Sequence, residues 1–285
     1  MTTLLRYCLV AIGWLPLPVL HGAGAALGGL LWLLPTRQKR ITLRHVQLAF
    51  PDLDAAARRH IARTSFLESG KAIAEAPAIW FGPAFRLRRW LRDDQAQRAL
   101  LGYMRNGAAI ALCPHLGSWE LAGMFCAAHA GITSLYKPQK GAIDALILQG
   151  RQRLGARLVP TEGGGVRALL QALKDRQLIG ILPDHDPQEG SGEFAPLFGA
   201  IAHSPSLVTK LAARTGAPVF FCLAERRTWG RGFRFHIVAA PADIGESVEA
   251  LNRGVEQVVR LMPQQYWWSY PRYRRRPPGA APFYS

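Results

Sequence analysis

The strongest chemical signal in the chain is a histidine and a glutamate set five residues apart, His115 and Glu120, at the end of the run Ala108–Glu120. The apolar residues Ala108 to Cys113 read as a buried strand, Pro114 ends it, and Gly117-Ser118 opens a helix whose first turn carries Glu120. Within one helix such a separation turns two side chains apart, so the pair meets only with His115 in the turn and Glu120 in the helix. An imidazole whose second nitrogen is held by a carboxylate has a fixed tautomer and is a competent general base. No protein nucleophile accompanies it, because Ser118 lacks a G-x-S-x-G elbow and none of the four cysteines lies beside a base. The attacking atom is therefore expected to be a substrate hydroxyl. The plain alternative is a polar pair at a strand end.

Other residues offer chemistry around the same point. Asp184-His185-Asp186 follows a second strand-like run, and with His203, His115 and Glu120 it has the residue types of a zinc or manganese site. Asp184 and Asp186 read equally well as loop-capping acids. Arg151 and Arg153 are candidate phosphate contacts on a helix, where an exposed arginine is the ordinary reading. Lys137 ends a strand and could reach a cleft mouth. Gly163-Gly-Gly165 before a helix could cradle a phosphate, but with no Lys or Ser/Thr companion a flexible loop is the preferred reading.

The elements that would position these residues alternate. Strand-like runs recur at Ala108–Cys113, Ile132–Tyr136, Arg157–Val159, Leu178–Leu182, Ala217–Leu223 and Phe233–Val238. Helical runs lie between most of them, at Glu120–His129, Ala142–Leu154, Gly164–Lys174 and Ser204–Thr215. This predicts an α/β fold with a mostly parallel sheet flanked by helices, whose ligands collect at the carboxyl ends of strands. The stretch from Phe221 to Ala240 lacks a crossover helix and is expected to pair antiparallel through the Trp229-Gly-Arg-Gly232 turn.

Before the alternation begins, residues 37–105 read as basic helices, among them one from about Ala55 to Ala76, with Phe81, Phe85, Trp90 and Leu91 interleaved among arginines. Residues 106–285 complete the catalytic domain, and residues 1–36 form an anchoring segment. Tyr7 to Leu34 carries no Asp, Glu, Lys or Arg, long enough for a spanning helix of roughly 20 apolar residues, with an interfacial hairpin split at Pro16 and Pro18 as the alternative. Arg37, Lys39, Arg40 and Arg44 follow at once, so the positive-inside rule places the rest of the chain in the cytoplasm.

With 35 Lys+Arg against 19 Asp+Glu in 285 residues, the formal charge of +16 calls for acidic partners: nucleic acid, anionic lipid or an acidic protein. The aromatic and arginine run from Tyr266 to Arg276 suits a membrane-interface belt better than nucleic acid, since no RNP, KH or finger signature accompanies it. Cys8, Cys113, Cys126 and Cys222 read as reduced, packed thiols.

His115-Leu-Gly-Ser-Trp-Glu120 resembles the H-x4-D/E block of glycerolipid acyltransferases, in the version found in the late acyltransferases of lipid A biosynthesis. Arg44-His-Val-Gln-Leu-Ala-Phe-Pro51, Tyr136-Lys-Pro138, Pro183-Asp-His-Asp186, Pro196-Leu-Phe-Gly199 and Gln265-Tyr-Trp-Trp268 fall in the order that family shows, so the resemblance covers nearly the whole chain. Ser118 and His45 stand where Asn is usual, which leaves the acceptor open. The resemblance implies a membrane-bound O-acyltransferase on the cytoplasmic face of an inner membrane. His115 would be its general base, Glu120 the group that orients and charge-balances His115, and no covalent acyl-enzyme would form.

It further implies acyl-acyl carrier protein as donor, with acyl-CoA open, and a lipid A precursor as the anionic glycolipid acceptor. Substrate contacts fall to Arg153 first and Arg151 second, and to Asp184, Lys137, Gly117 and Ser118. The oxyanion would be met by N–H groups between Gly117 and Trp119 or by Arg153. Asp184 is explained without a metal, and neither a cofactor nor nucleic acid is expected. Two rivals are an acyltransferase acting on another glycolipid or phospholipid and a non-catalytic basic membrane- or RNA-binding protein.

Overall fold

A computed structural model describes residues 2–139, 141, 143–161 and 164–284. Proline divides the apolar amino-terminal stretch into α1 (Thr2–Trp14) and α2 (Leu17–Leu33), which meet at 111°. Pro16 directly precedes α2 and Pro18 lies in its first turn, where a missing N–H costs nothing, whereas in the interior of one long helix both would break the ladder. The single spanning helix expected over Tyr7–Leu34 therefore does not form. Among the described residues no single helix is long and apolar enough to cross a membrane.

Two capped helices follow, α3 (Arg37–Ala49) and the long α4 (Ala55–Phe81), whose Thr36 and Asp54 caps accept from the Lys39 and Ala57 N–H groups. α2 packs along α4, backbone against backbone. A Cβ at Gly28 would stand 2.2 Å from the Phe66 carbonyl oxygen, and one at Gly70 would stand 2.0 Å from that of Gly24. The small-residue spacing Gly24 to Gly28 is thus one half of a close helix crossing. On the other side of the hairpin Leu4, Trp14, Leu30 and Leu33 stay exposed. α5 (Ala84–Trp90) and α6 (Asp94–Tyr103) lead into the sheet, and here Trp90 and Leu91 are buried while Phe85 is exposed.

The alternating part runs β1 (Ala109–Leu112), α7 (Trp119–Ala130), β2 (Thr133–Tyr136), α8 (Ile143–Gln152), β3 (Arg157–Pro160), α9 (Gly165–Lys174) and β4 (Leu178–Ile181). An antiparallel hairpin comes next, β5 (Gly192–Leu197) and β6 (Ala200–Pro205), followed by α10 (Leu207–Thr215), β7 (Val219–Arg226), β8 (Phe233–Ala239) and α11 (Val248–Leu261). The six-stranded sheet has the order β3-β2-β4-β1-β7-β8, parallel throughout except for the expected antiparallel pairing of β7 with β8. Every residue of β1 and β4 is buried, as befits central strands covered on both faces. One apolar cluster joins Trp32, Val46 and Phe66 of the helical segment to Ile110, Leu112 and Phe221 of the sheet, so the two stretches share a core. Cys113, Cys126 and Cys222 are buried in it or beside it, whereas Cys8 is exposed. Gly163 lies outside the described residues, and with it the expected phosphate cradle.

The carboxy-terminal segment corrects the expected membrane belt. After α11 the chain returns across the carboxyl edge of the sheet, where Leu116 bridges Tyr266, and it buries Tyr266, Trp268, Arg272 and Tyr273. Its arginines are partnered inside the protein: Arg272 donates to the His203 carbonyl and to Ser204 Oγ, each at 2.6 Å. His45 ties α3 to this segment, with Nδ1 2.8 Å from the Trp268 carbonyl oxygen and Nε2 2.6 Å from the Tyr284 hydroxyl.

Burial holds the His45 pKa down to about 4, against 6.5 for a free imidazole. The unfolded chain therefore takes this proton first, so His45 contributes stability above pH 6.5 that is lost as the pH falls towards 4. Thermal melts across that window should show the midpoint falling less steeply in His45→Asn, which lacks the titration. Parallel pH curves for the two proteins would refute the assignment.

Candidate active site

The β1–β4 register brings the site together. Leu112 pairs with Ile181 in parallel, and His115 and Asp184 lie at equal offsets beyond those residues, so both side chains emerge at the same carboxyl edge. The Asp184 carboxylate takes two hydrogen bonds from one residue: Oδ2 accepts from the His115 backbone N–H at 3.0 Å, and Oδ1 lies 2.9 Å from Nδ1. Burial by itself would raise the Asp184 pKa, but the His115 contacts outweigh it and hold the carboxyl below its ordinary range. An ionised carboxylate accepts and does not donate, so Nδ1 carries the proton and Nε2 presents its lone pair. Among the described residues nothing hydrogen-bonds Nε2.

Glu120, expected to clamp His115, is engaged elsewhere. Its carboxylate accepts from Trp80 Nε1 at 3.0 Å and from the Arg151 fork, with Nε 2.9 Å from Oε2 and Nη2 on Oε1. The physical reason is placement, since Glu120 sits in the first turn of α7 and meets α4 and the end of α8. Arg153, preferred over Arg151 as the site arginine, instead donates to the Ile79 and Gly82 carbonyls, each at 3.0 Å, and closes the end of α4. Lys137 is exposed just beyond β2.

The turn after His115 is fixed through its backbone. Gly117 has φ of 62°, and a Cβ there would meet the Ala224 carbonyl oxygen at 2.3 Å, so glycine is required on both counts. Its N–H donates to the Gln265 carbonyl at 3.0 Å, and the Ser118 N–H donates to the Ala224 carbonyl at 2.8 Å. These two amides are consumed and cannot meet an oxyanion, which corrects that part of the expectation. Ser118 Oγ is buried and has no hydrogen-bond partner among the described residues.

Sequence reasoning missed the network that holds this turn. Arg226, at the end of β7, donates to the Gly117 carbonyl at 2.9 Å and grips Glu75 of α4 through Nε at 2.9 Å and Nη2 at 2.8 Å. His21 of α2 meets the same carboxylate at 2.7 Å. Burial alone would raise the Glu75 pKa, but Arg226 and His21 hold it low. Nothing in the sequence pairs residues 151 positions apart.

His115, Asp184 and His185 bring donor atoms within 4.8 Å of one another, the set from which a metal site would be built. The two imidazoles lie face to face, 2° from parallel with centroids 3.6 Å apart. Their in-plane lone pairs therefore run parallel and do not converge on one ion at the roughly 2.0–2.1 Å of a Zn–N bond. His203 and Asp186 pair with each other at 2.8 Å, and Arg274 reaches Asp186 at 2.5 Å. The residues as placed fit acid–base chemistry and do not fit a metal.

An imidazole fixed by a carboxylate at the carboxyl edge of a parallel sheet is an arrangement that can take a proton from a hydroxyl. The chain belongs to the bacterial lipid A biosynthesis acyltransferase family, whose model matches residues 2–275. It is 29% identical to the lipid A biosynthesis lauroyltransferase of Escherichia coli, over 96% of this chain and 94% of that protein. It is 25% identical to the lipid A biosynthesis palmitoleoyltransferase of the same organism, over 95% of this chain and 90% of that protein. A phosphatidylinositol mannoside acyltransferase of Mycobacterium tuberculosis is 25% identical over 59% of this chain and 54% of its own length.

Removing one partner of a buried ion pair leaves the other charged and unpaired, at a cost of roughly 3–5 kcal/mol. Arg226→Ala should lose about that much stability in denaturant titrations, and acyl transfer should fall with it as Gly117 is released. An Arg226→Ala variant with unchanged stability would show that the network does not hold the turn.

Proposed function

We propose that this protein transfers a fatty acyl group from acyl-acyl carrier protein to a hydroxyl of a lipid A precursor, with His115 as general base. The observation that carries the reading is the Asp184 carboxylate, which holds the His115 backbone and ring together and leaves Nε2 unbonded among the described residues. His115 Nε2 takes the proton as the acceptor oxygen attacks the thioester carbonyl. The tetrahedral intermediate then collapses, the C–S bond breaks, and the imidazolium returns its proton to the departing thiolate. No acyl-enzyme forms, so both substrates are bound together.

In this reading Asp184 takes the orienting role, and Glu120 acts at one remove, fixing the start of α7 through Arg151 and Trp80. With the Gly117 and Ser118 amides consumed, the oxyanion falls to the first-turn amides of α7 or the unpaired Ser118 hydroxyl. The formal charge of +16 suits an acidic carrier protein and a phosphorylated lipid.

The amino-terminal hairpin supports attachment to a membrane from its surface. Its Leu4, Trp14, Leu30 and Leu33 are exposed, as are Phe85 and Trp229, whose segments touch the hairpin: Arg86 donates to the Leu15 carbonyl at 2.8 Å, and Gly230 lies against Pro18. A helix pair of this kind settles at the boundary between headgroups and acyl chains. An acyl carrier protein donor places the site on the cytoplasmic face of the inner membrane. The mannoside acyltransferase relative supports a second reading in which the acceptor is another glycolipid. Burial of Tyr266, Trp268 and Tyr273 counts against RNA binding, because those three aromatics have no face to offer a base.

His115→Ala should abolish transfer from acyl-acyl carrier protein to a lipid A precursor. Asp184→Asn should lower kcat by about 100-fold or more, the usual contribution of a positioned general base. Full activity in folded His115→Ala would overturn the mechanism. Mass analysis of lipids from cells lacking the protein should show one secondary acyl chain missing from lipid A, and an intact lipid A with an altered second glycolipid would favour the other acceptor.

A further inference from the structure

One part of the site has no role in the mechanism above. His185 lies flat between two rings, with His115 on one face at 3.6 Å and 2° and Tyr270 on the other at 3.8 Å and 8°. Its Nε2 is buried and bonded to nothing among the described residues. Buried nitrogens of this kind are uncommon enough to need a reason. The ring is not kept in place by that nitrogen. It is kept by its two faces.

Three consecutive residues build the arrangement. The Asp184 carboxylate grips His115, the His185 ring stacks on it, and the Asp186 N–H donates to the Tyr270 hydroxyl at 3.2 Å. Tyr270 is backed in turn by the Arg274 guanidinium, 5.9 Å from its ring centre. Asp184 fixes one edge of the His115 imidazole, and Trp119 and Trp267 approach the ring tilted by 53° and 75°, so neither lies flat against it. A ring lying parallel over its whole face holds the tilt of the imidazole, and the aim of Nε2 is then set.

The geometry points to His185 as a positioning residue for acyl transfer: a ring clamped between Tyr270 and His115 that fixes the plane of the base and lies against it when the base becomes a cation. The inference rests on the reading of His115 as general base. Two imidazolium rings at 3.6 Å would repel, so the stack works only with His185 neutral. Burial, with the positive charges of Arg272 and Arg274 also facing it, holds the His185 pKa down to about 3, and the proton taken from the acceptor stays on His115 beside Asp184. The electron-rich face of a neutral aromatic ring favours a cation laid against it, so the contact strengthens as the transition state is approached. The sequence showed His185 only as a possible ligand within Asp184-His185-Asp186, because ring stacking leaves no mark on spacing.

The test compares His185→Phe, which keeps a flat ring, with His185→Ala, which removes it, in the full-length protein with acyl-acyl carrier protein and a lipid A precursor. His185→Ala should lower kcat by about 10- to 100-fold, the scale of a small misplacement of a reacting group, with KM for both substrates little changed. His185→Phe should recover most of kcat. Should His185→Ala misfold, Tyr270→Leu removes the ring behind the stack and should give the same kcat loss. Equal losses in His185→Phe and His185→Ala would overturn the proposal, since the nitrogen rather than the ring would then be in use. A parental kcat in His185→Ala would overturn it as well. Activity surviving in His115→Ala would instead remove the general-base reading beneath it.

Discussion

The structure turns on a buried carboxylate that His115 grips twice, once through its backbone and once through its ring. Taking Asp184 out of water is costly unless every strong acceptor position is met, and the His115 amide and imidazole meet both oxygens. This works because β1 and β4 are parallel neighbours in register, so loops leaving them at equal offsets arrive at one point. The contact between these two loops is what defines the tautomer. It holds the proton on Nδ1 and leaves the Nε2 lone pair open, as the proposed general base requires.

The remaining architecture keeps that point still and brings it to the substrate. Gly117 bends the chain away from His115, and its carbonyl is held by Arg226, which is itself held by Glu75 of α4. Glu75 also meets His21 of α2, so the apolar amino-terminal hairpin and the catalytic turn are joined through one buried ion network. The close glycine contacts of α2 with α4 serve the same end, since they set the hairpin against the helix that carries Glu75. The carboxy-terminal segment covers the site from the opposite direction, with Tyr270 behind His185 and the Trp267 N–H on the His115 carbonyl. The apolar hairpin and the His115 turn thus belong to one continuous packing.

Much of this was legible in the sequence, and the failures share a cause. Buried parallel strands are short apolar runs bounded by turn residues, so β1, β2, β3, β4, β7 and β8 could all be placed, as could His115 and Asp184 at strand ends. The β5–β6 hairpin was missed because its residues alternate weakly in exposure. The helical run expected from Ser204 begins only at Leu207, because Ser204 lies within β6. Glu120 was chosen as the partner of His115 because it is near in the chain, and the true partner lies 69 residues on. Arg151 and Arg153 differ by two positions near a helix end, which is enough to send one to Glu120 and the other to α4. The run Tyr266–Arg276 has the composition of a membrane belt, and composition does not reveal that a segment folds back onto its own sheet.

The most direct measurement of the central claim is the tautomer of His115, read from ring nitrogen shifts in protein carrying nitrogen-15 histidine. The account predicts Nδ1 protonated and Nε2 bare above the pKa of His115, with that preference lost in Asp184→Asn. A proton found on Nε2, or a tautomer unchanged when Asp184 is replaced, would contradict it.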